Sequence, residues 1–193
     1  MPNRLLETLK DLIRISEKEE ALLTALFKPL KLRAGEYFLE EGQLCRYVGL
    51  IEEGLVRYYL NDSGNEKTLY FSKEGEFVSN YQSFLPREPS DMSIQAIEDT
   101  TLQVINYSDL QQIYTGLNEG NKFGRLALEY VYASSMQQLK SFYKDSPAAR
   151  YDEFLRSYPD LAQRLPQYYI ASYIGIKPQS LSRIRKRLVT KKE

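Results

Sequence analysis

Between residues 30 and 107 the chain cannot hold a long helix, because Gly35, Gly42, Gly49, Gly54, Gly64 and Gly75 interrupt it five to eleven residues apart. Valine, isoleucine, leucine, tyrosine and phenylalanine fill the runs between the glycines, and side chains of this kind suit short strands. The pattern predicts a small all-β roll or barrel. Its clearest hairpin joins residues 55–60 to residues 67–71 across Asn61, Asp62, Ser63, Gly64 and Asn65, all of them turn formers.

Helical patterns stand on either side of this segment. Leu5, Leu6, Leu9, Leu12 and Ile13 recur at helical spacing, and Ser16 with Glu19 forms a capping box ahead of Leu22, Leu23, Leu26 and Phe27. After the β segment, residues 119–144 contain no proline and no glycine beyond Gly124. At 100° per residue Leu128, Tyr132, Ser135, Leu139 and Phe142 share one face, while Phe123, Leu126, Tyr130 and Ala133 share another. A helix apolar on two sides needs cover on both. The expectation is one face against the β unit and the first face, Leu128 to Phe142, against a second copy in a dimer seam. Pro147 either ends this helix or starts the next at its first turn; the following helix is expected to turn Ala149, Phe154 and Leu155 inward, and Pro159 and Pro166 bracket a shorter one.

Composition narrows the function. The chain has no histidine, which removes the usual general base and the commonest metal ligand, and a single Cys45, which cannot complete a disulfide, a cysteine zinc site or an iron–sulfur cluster. No metal or cofactor is expected, and the chain reads as a non-enzyme. No run approaches the roughly 18 apolar residues of a membrane helix, and the first ten residues lack a signal-peptide pattern, so a cytoplasmic protein without membrane contact is expected. The formal net charge of zero conceals an asymmetry. Residues 1–145 hold 16 Lys+Arg against 22 Asp+Glu, whereas residues 146–193 hold 10 against 4. A basic C-terminal unit is the footprint of a polyanion partner.

Residues 167–188 make that partner specific. A helix-turn-helix needs a small residue in its first helix, a glycine in the turn and apolar residues that lock the pair. Ala171 and Gly175 fill the first two roles; Ile170, Ile174 and Ile176, with Leu181, Ile184 and Leu188, fill the third. Pro178 suits the first position of the second helix, where a missing N–H leaves nothing unsatisfied. Lys177, Gln179, Ser180, Ser182, Arg183, Lys186 and Arg187 are left to face outward as the DNA-binding set. Gln and Arg can pair bidentately with adenine and guanine, and the basic run through Arg185, Lys191 and Lys192 would neutralise phosphates.

In this order, roll, long helix and helix-turn-helix, the chain resembles the Crp/Fnr superfamily of bacterial transcription regulators. The resemblance rests on residues 32–42 (LRAGEYFLEEG), 49–59 (GLIEEGLVRYY), 75–77 (GEF) and 170–188. It implies an α+β fold: a cyclic-nucleotide-binding-like jelly roll (a double-stranded β-helix) flanked by helices, a dimerisation helix and an all-α helix-turn-helix domain. The implied domains are a sensor over 1–118, the dimerisation helix over 119–145 and the DNA-binding domain over 146–193. The implied partners are double-stranded DNA, a second copy, a small-molecule effector and RNA polymerase.

The resemblance also marks departures. Family members that bind cyclic AMP hold its ribose and phosphate with a Gly-Glu pair and an Arg-Ser pair; the matching places here are Ser79-Asn80 and Ser90-Asp91. The ribose-binding acid and the phosphate-binding arginine are missing, so cyclic AMP is not the expected ligand. Asn80, Tyr81, Gln82, Ser83 and Arg87, with Ser134 and Ser135 of the long helix, remain as candidate effector-pocket residues. The cysteine cluster of the redox branch and the histidine of the haem branch are lacking too. Only residues 189–193 follow the recognition helix, so the family's β-hairpin wing is expected to be absent. The reading is a homodimeric regulator with a degenerate sensor; the alternative is a ligand- or partner-binding module whose helix-turn-helix no longer grips DNA.

Overall fold

The computed structural model describes residues 4–190, with side chains through residue 187. Two amphipathic helices come first, α1 (Arg4–Leu12) and α2 (Glu17–Leu26), the first burying Leu5 and Leu9 and the second Leu23. The capping box at Ser16 forms as the sequence predicts: Glu19 N donates to Ser16 Oγ at 3.4 Å, and Ser16 N donates to Glu19 Oε2 at 2.8 Å. Glu19 does more than cap, because its other oxygen accepts from Asn118 N at 2.8 Å. One buried carboxylate thus joins the start of α2 to the loop ahead of the longest helix.

Eight strands follow among the described residues: β1 (Lys28–Leu32), β2 (Tyr37–Leu39), β3 (Tyr47–Glu53), β4 (Leu55–Asp62), β5 (Asn65–Lys73), β6 (Phe77–Val78), β7 (Ser93–Ala96) and β8 (Thr100–Asn106). They form two four-stranded sheets, ordered β1-β8-β3-β6 and β2-β7-β4-β5, in which β8 bonds antiparallel to both β1 and β3. Neighbours so distant in sequence exclude a simple meander. The core holds Leu50, Ile51, Leu55, Val56, Phe71, Ile94 and Leu102, all fully buried. The predicted hairpin is present with longer strands and a tighter turn than the sequence suggests. Only Ser63 and Gly64 lie outside the strands, both with positive φ (53° and 88°), the backbone of a two-residue turn that matches strand twist. Asn61 and Asn65 are absorbed into the strands.

A short helix α3 (Tyr81–Phe84) leaves β6, and α4 (Tyr107–Gly116) leaves β8 under an Asn106 cap. Then come α5 (Gly120–Lys144), α6 (Pro147–Ser157), α7 (Leu161–Arg164), α8 (Gln167–Tyr173) and α9 (Pro178–Thr190). Contacts group residues 1–60 with 70–130, and residues 61–69 with 131–193, so the tip of the β4–β5 hairpin belongs with the C-terminal helices. No helix among the described residues is long and apolar enough to cross a membrane.

The bonds at Glu19 carry a pH dependence. Hydrogen bonds from Ser16, then from Asn118, hold its carboxyl below the ordinary value of 4.5. A depressed folded-state pKa contributes stability above the unfolded value and loses it as pH falls through the lowered one. Glu19→Gln is expected to lower the thermal midpoint at neutral pH, and the two melting curves should converge on acidification below pH 4.5; a constant gap between them would show that the ionised form is not what stabilises.

Candidate nucleic-acid interface

The C-terminal residues fold into a closely crossed helix pair. After α8, Ile176 N donates to Ala171 O at 2.9 Å and Gly175 N to Ser172 O at 3.0 Å, the two bonds of a Schellman stop. That stop requires a left-handed residue, and Gly175 supplies it with φ of 72°. A β-carbon there would come within 2.9 Å of the Phe142 ring, so glycine is needed for space as well as conformation. Ile170, Ala171, Ile174 and Leu181 are fully buried and lock α8 to α9.

Outside that contact, Lys177, Gln179, Ser182, Arg183, Lys186 and Arg187 are exposed and Ser180 is half-buried, its hydroxyl accepting from Arg183 Nη2 at 3.3 Å. Ile176 and Ile184, assigned inward positions by spacing, are only half-buried. Ile176 lies in the turn between the helices; for Ile184 the reason is length, since α8 has seven residues, roughly 10 Å, against roughly 20 Å for the thirteen of α9, and cannot cover the later turns. Leu188, Lys191 and Lys192 lie outside the residues whose side chains are described.

Three contacts that the sequence does not announce seat α8. Phe154, Tyr158 and Tyr173 pack ring on ring with centroids 5.6 to 6.3 Å apart. Burial pushes the Tyr173 phenol up to about 12, against a hydrogen bond with Tyr158. Ser172 Oγ donates to Glu66 O at 2.9 Å and accepts from Thr68 N at 2.8 Å, pinning the hairpin edge to the helix. Arg150 donates from Nε to Ile174 O at 2.9 Å and from Nη1 to Asp145 O at 2.8 Å, with its guanidinium 5.3 Å from the Phe142 ring centre. It thereby satisfies carbonyls at the ends of both α5 and α8. Within α6, Tyr151 and Phe154 are buried and Leu155 is half-buried, but Ala149 faces solvent: it sits in the first turn, beside the Ser146 cap.

Along α5, Phe123 is buried, yet Leu128 (48%), Tyr132 (69%) and Leu139 (48%) are exposed in the single chain, as is Ser135. Tyr130 at 63% and Val131 at 56% widen this apolar strip, although helical spacing sets Tyr130 on the face opposite Leu128. Phe142 is divided, its ring against Arg150 and Gly175 with 42% left open. Gln138 also donates to Leu69 O at 2.6 Å.

The candidate pocket residues are partly spent on the fold. Asn80 and Ser90, at the two places where the resemblance looks for ligand contacts, are buried and bonded to each other, Nδ2 to Oγ at 2.8 Å. Asn80 Oδ1 caps α3 by accepting from Gln82 N, and Ser83 Oγ accepts from Cys45 N at 2.9 Å. Tyr81 is half-buried, its phenol raised above the ordinary range by burial, then by Tyr114. Gln82, Arg87, Asp91 and Ser135 are exposed and Ser134 is half-buried. Between the sheets Tyr58 is buried on Ile94 and near Ser72, its phenol raised by burial. Among the described residues no cluster of acids or cysteine could hold a metal ion.

Comparison with known proteins places this geometry. Residues 29–116 match the family described as Cyclic nucleotide-binding domain. FixK2 from Bradyrhizobium japonicum superposes with a TM-score of 0.76 at 17% identity, over 86% of this chain and 85% of that one. A CooA mutant from Carboxydothermus hydrogenoformans gives 0.75 at 19% identity over 98% and 86%, and the Thermus thermophilus Catabolite Activator Protein 0.53 at 22% over 92% and 85%. The chain therefore shares the fold of these structures. A search of curated proteins finds no match.

The packing separates positions that hold the helix pair together from positions left exposed. Gly175→Ala meets both a strained φ and a close ring, and is expected to destabilise the C-terminal helices by about 1–3 kcal/mol. Leu181→Ala should cost about 2–5 kcal/mol through the cavity it leaves. Arg183→Ala should melt like the native chain; thermal unfolding followed by tyrosine fluorescence checks all three.

Proposed function

We propose that the chain is a DNA-binding transcription regulator of Crp/Fnr type that acts as a homodimer on a two-fold operator. The observation that carries this reading is α9 itself: a helix with its inner side buried on α8 and its outer side left to Gln179, Ser182, Arg183, Lys186 and Arg187. Lys177, Gln179 and Ser180 stand at its N-terminal end, the part of a recognition helix that reaches base edges, while Lys186 and Arg187 stand where the phosphate backbone passes. Arg183 has the donor fork for guanine O6 and N7, and Gln179 the donor and acceptor for adenine. The exposed strip of α5, Leu128, Tyr132, Ser135 and Leu139, supports a seam that holds two such helices at the half-site spacing of about 34 Å.

Binding to the operator selected from a random duplex pool tests this. A two-fold consensus is expected. Arg183→Ala should lose about 1–3 kcal/mol on the consensus and little on a scrambled duplex, whereas Lys186→Ala should weaken both alike and lower the log-affinity against log-salt slope by roughly 0.9 per lost phosphate contact. Leu139→Asp should halve the mass seen by light scattering and reduce the footprint to one half-site. Equal losses for Arg183→Ala on both duplexes would make it a phosphate clamp only, and a monomeric native chain would remove the dimer.

The sensor reading is a roll unsuited to cyclic nucleotide. Asn80 and Ser90 are bonded to each other rather than turned to a ligand, Tyr58 occupies the space between the sheets, and Asp91 would set a like charge beside a phosphate. Cyclic AMP is expected to give no heat on titration at micromolar to millimolar concentration; a saturable micromolar isotherm would overturn this.

A further inference from the structure

A cavity of about 300 Å³ opens where the segment after β2, the end of α3 and the start of α4 meet. Its inner wall is Phe84, fully buried, with Leu44, Tyr47 and Tyr107 around it, and Arg46 and Arg87 stand exposed at its edge. The two arginines are 41 residues apart, and one buried hydroxyl brings them together. Ser83 Oγ accepts from Cys45 N at 2.9 Å and donates to Glu88 O, so it ties the strand approach carrying Arg46 to the turn carrying Arg87. That turn is costly: Arg87 has φ of 61°, a left-handed backbone that residues with a β-carbon seldom adopt and that tends to persist at binding sites.

The charge around the cavity is one-sided. Among the described residues neither guanidinium has an ion-pair or hydrogen-bond partner, and no carboxylate lines the wall. The acid on the adjoining turn, Asp109, accepts from Asn106 Nδ2 at 2.8 Å and from Gln112 at 3.3 Å, and Ser108 donates to Asn106 Oδ1. Two cations over aromatic walls suit a molecule with an anionic head and an apolar body, and the volume admits a ring with a short acid arm.

We propose that this cavity binds a small organic anion, a phosphate ester or carboxylate with a ring-sized apolar body, gripped by Arg46 and Arg87. The site is separate from Asn80 and Ser90, and it does not depend on DNA binding.

Titration calorimetry of the full chain at low salt, without DNA, with phenyl phosphate as probe, tests it. A dissociation constant of about 1 mM or lower is expected, with inorganic phosphate and benzyl alcohol each at least about tenfold weaker because one lacks the body and the other the head. Arg46→Gln and Arg87→Gly should each weaken the probe by about tenfold or more, the loss of one charged hydrogen bond. Arg87→Gly also relieves the left-handed strain, so its melting temperature should stay level or rise while binding falls. Lys31→Ala, an exposed cation lost elsewhere on β1, should leave probe binding unchanged. Absence of binding at millimolar probe, undiminished binding in both arginine variants, equal affinity for inorganic phosphate, or an equal loss in Lys31→Ala would each overturn the site.

Discussion

At the end of α5 two carbonyls that a helix leaves without partners, Asp145 O and, across the fold, Ile174 O, are both met by the guanidinium of Arg150. The rest of the C-terminal geometry depends on this closure. Phe142 lies under the guanidinium and beside Gly175, which has no β-carbon to keep the ring away. The turn between α8 and α9 is therefore set against the tail of α5 directly, and a rotation of that tail would carry the turn with it. Ser172 fixes the other side of α8 to the hairpin, satisfying Thr68 N and Glu66 O with one hydroxyl. Helix packing together with these polar ties holds the seven residues of α8 in place on both of its sides.

In the two sheets and the helices beside them, polar side chains serve the fold. Asn80 caps α3 and bonds Ser90; Ser83 joins Cys45 to Glu88; Glu19 joins α2 to the loop before α5. Each is buried and satisfied, which is the condition for polar groups to sit in a core without penalty. Arg46 and Arg87, by contrast, stand exposed at the edge of one cavity, and the same Ser83 ties together the segments that carry them.

Much of the fold was legible in the residues. Glycine spacing announced short strands, Ser16 and Glu19 announced the start of α2, and Ala171, Gly175 and Leu181 announced the helix pair, because each is a local requirement of backbone conformation or periodicity. Periodicity was less informative where it needed a partner. Ala149 and Ile184 fell on apolar faces, yet whether a face is covered depends on what lies opposite and how long it is, and α8 is too short to cover all of α9. The candidate pocket shows the same limit: Asn80 and Ser83 have the chemistry of ligand contacts, and only the fold reveals that neighbours have taken their hydrogen bonds.

The sequence by itself determined the succession of strands and helices, the charge contrast between residues 1–145 and 146–193, and which side of α9 carries Gln179 and Arg183. These follow from spacing along a chain whose backbone geometry is known in advance. Tertiary structure alone decided that Arg150 closes two helix ends, that Ser172 pins the hairpin, and that Arg46 and Arg87 share a cavity. Each of these joins positions between 5 and 106 residues apart. Nothing in the spacing of such residues announces that they will meet, since only the folded path of the chain brings their atoms within bonding distance.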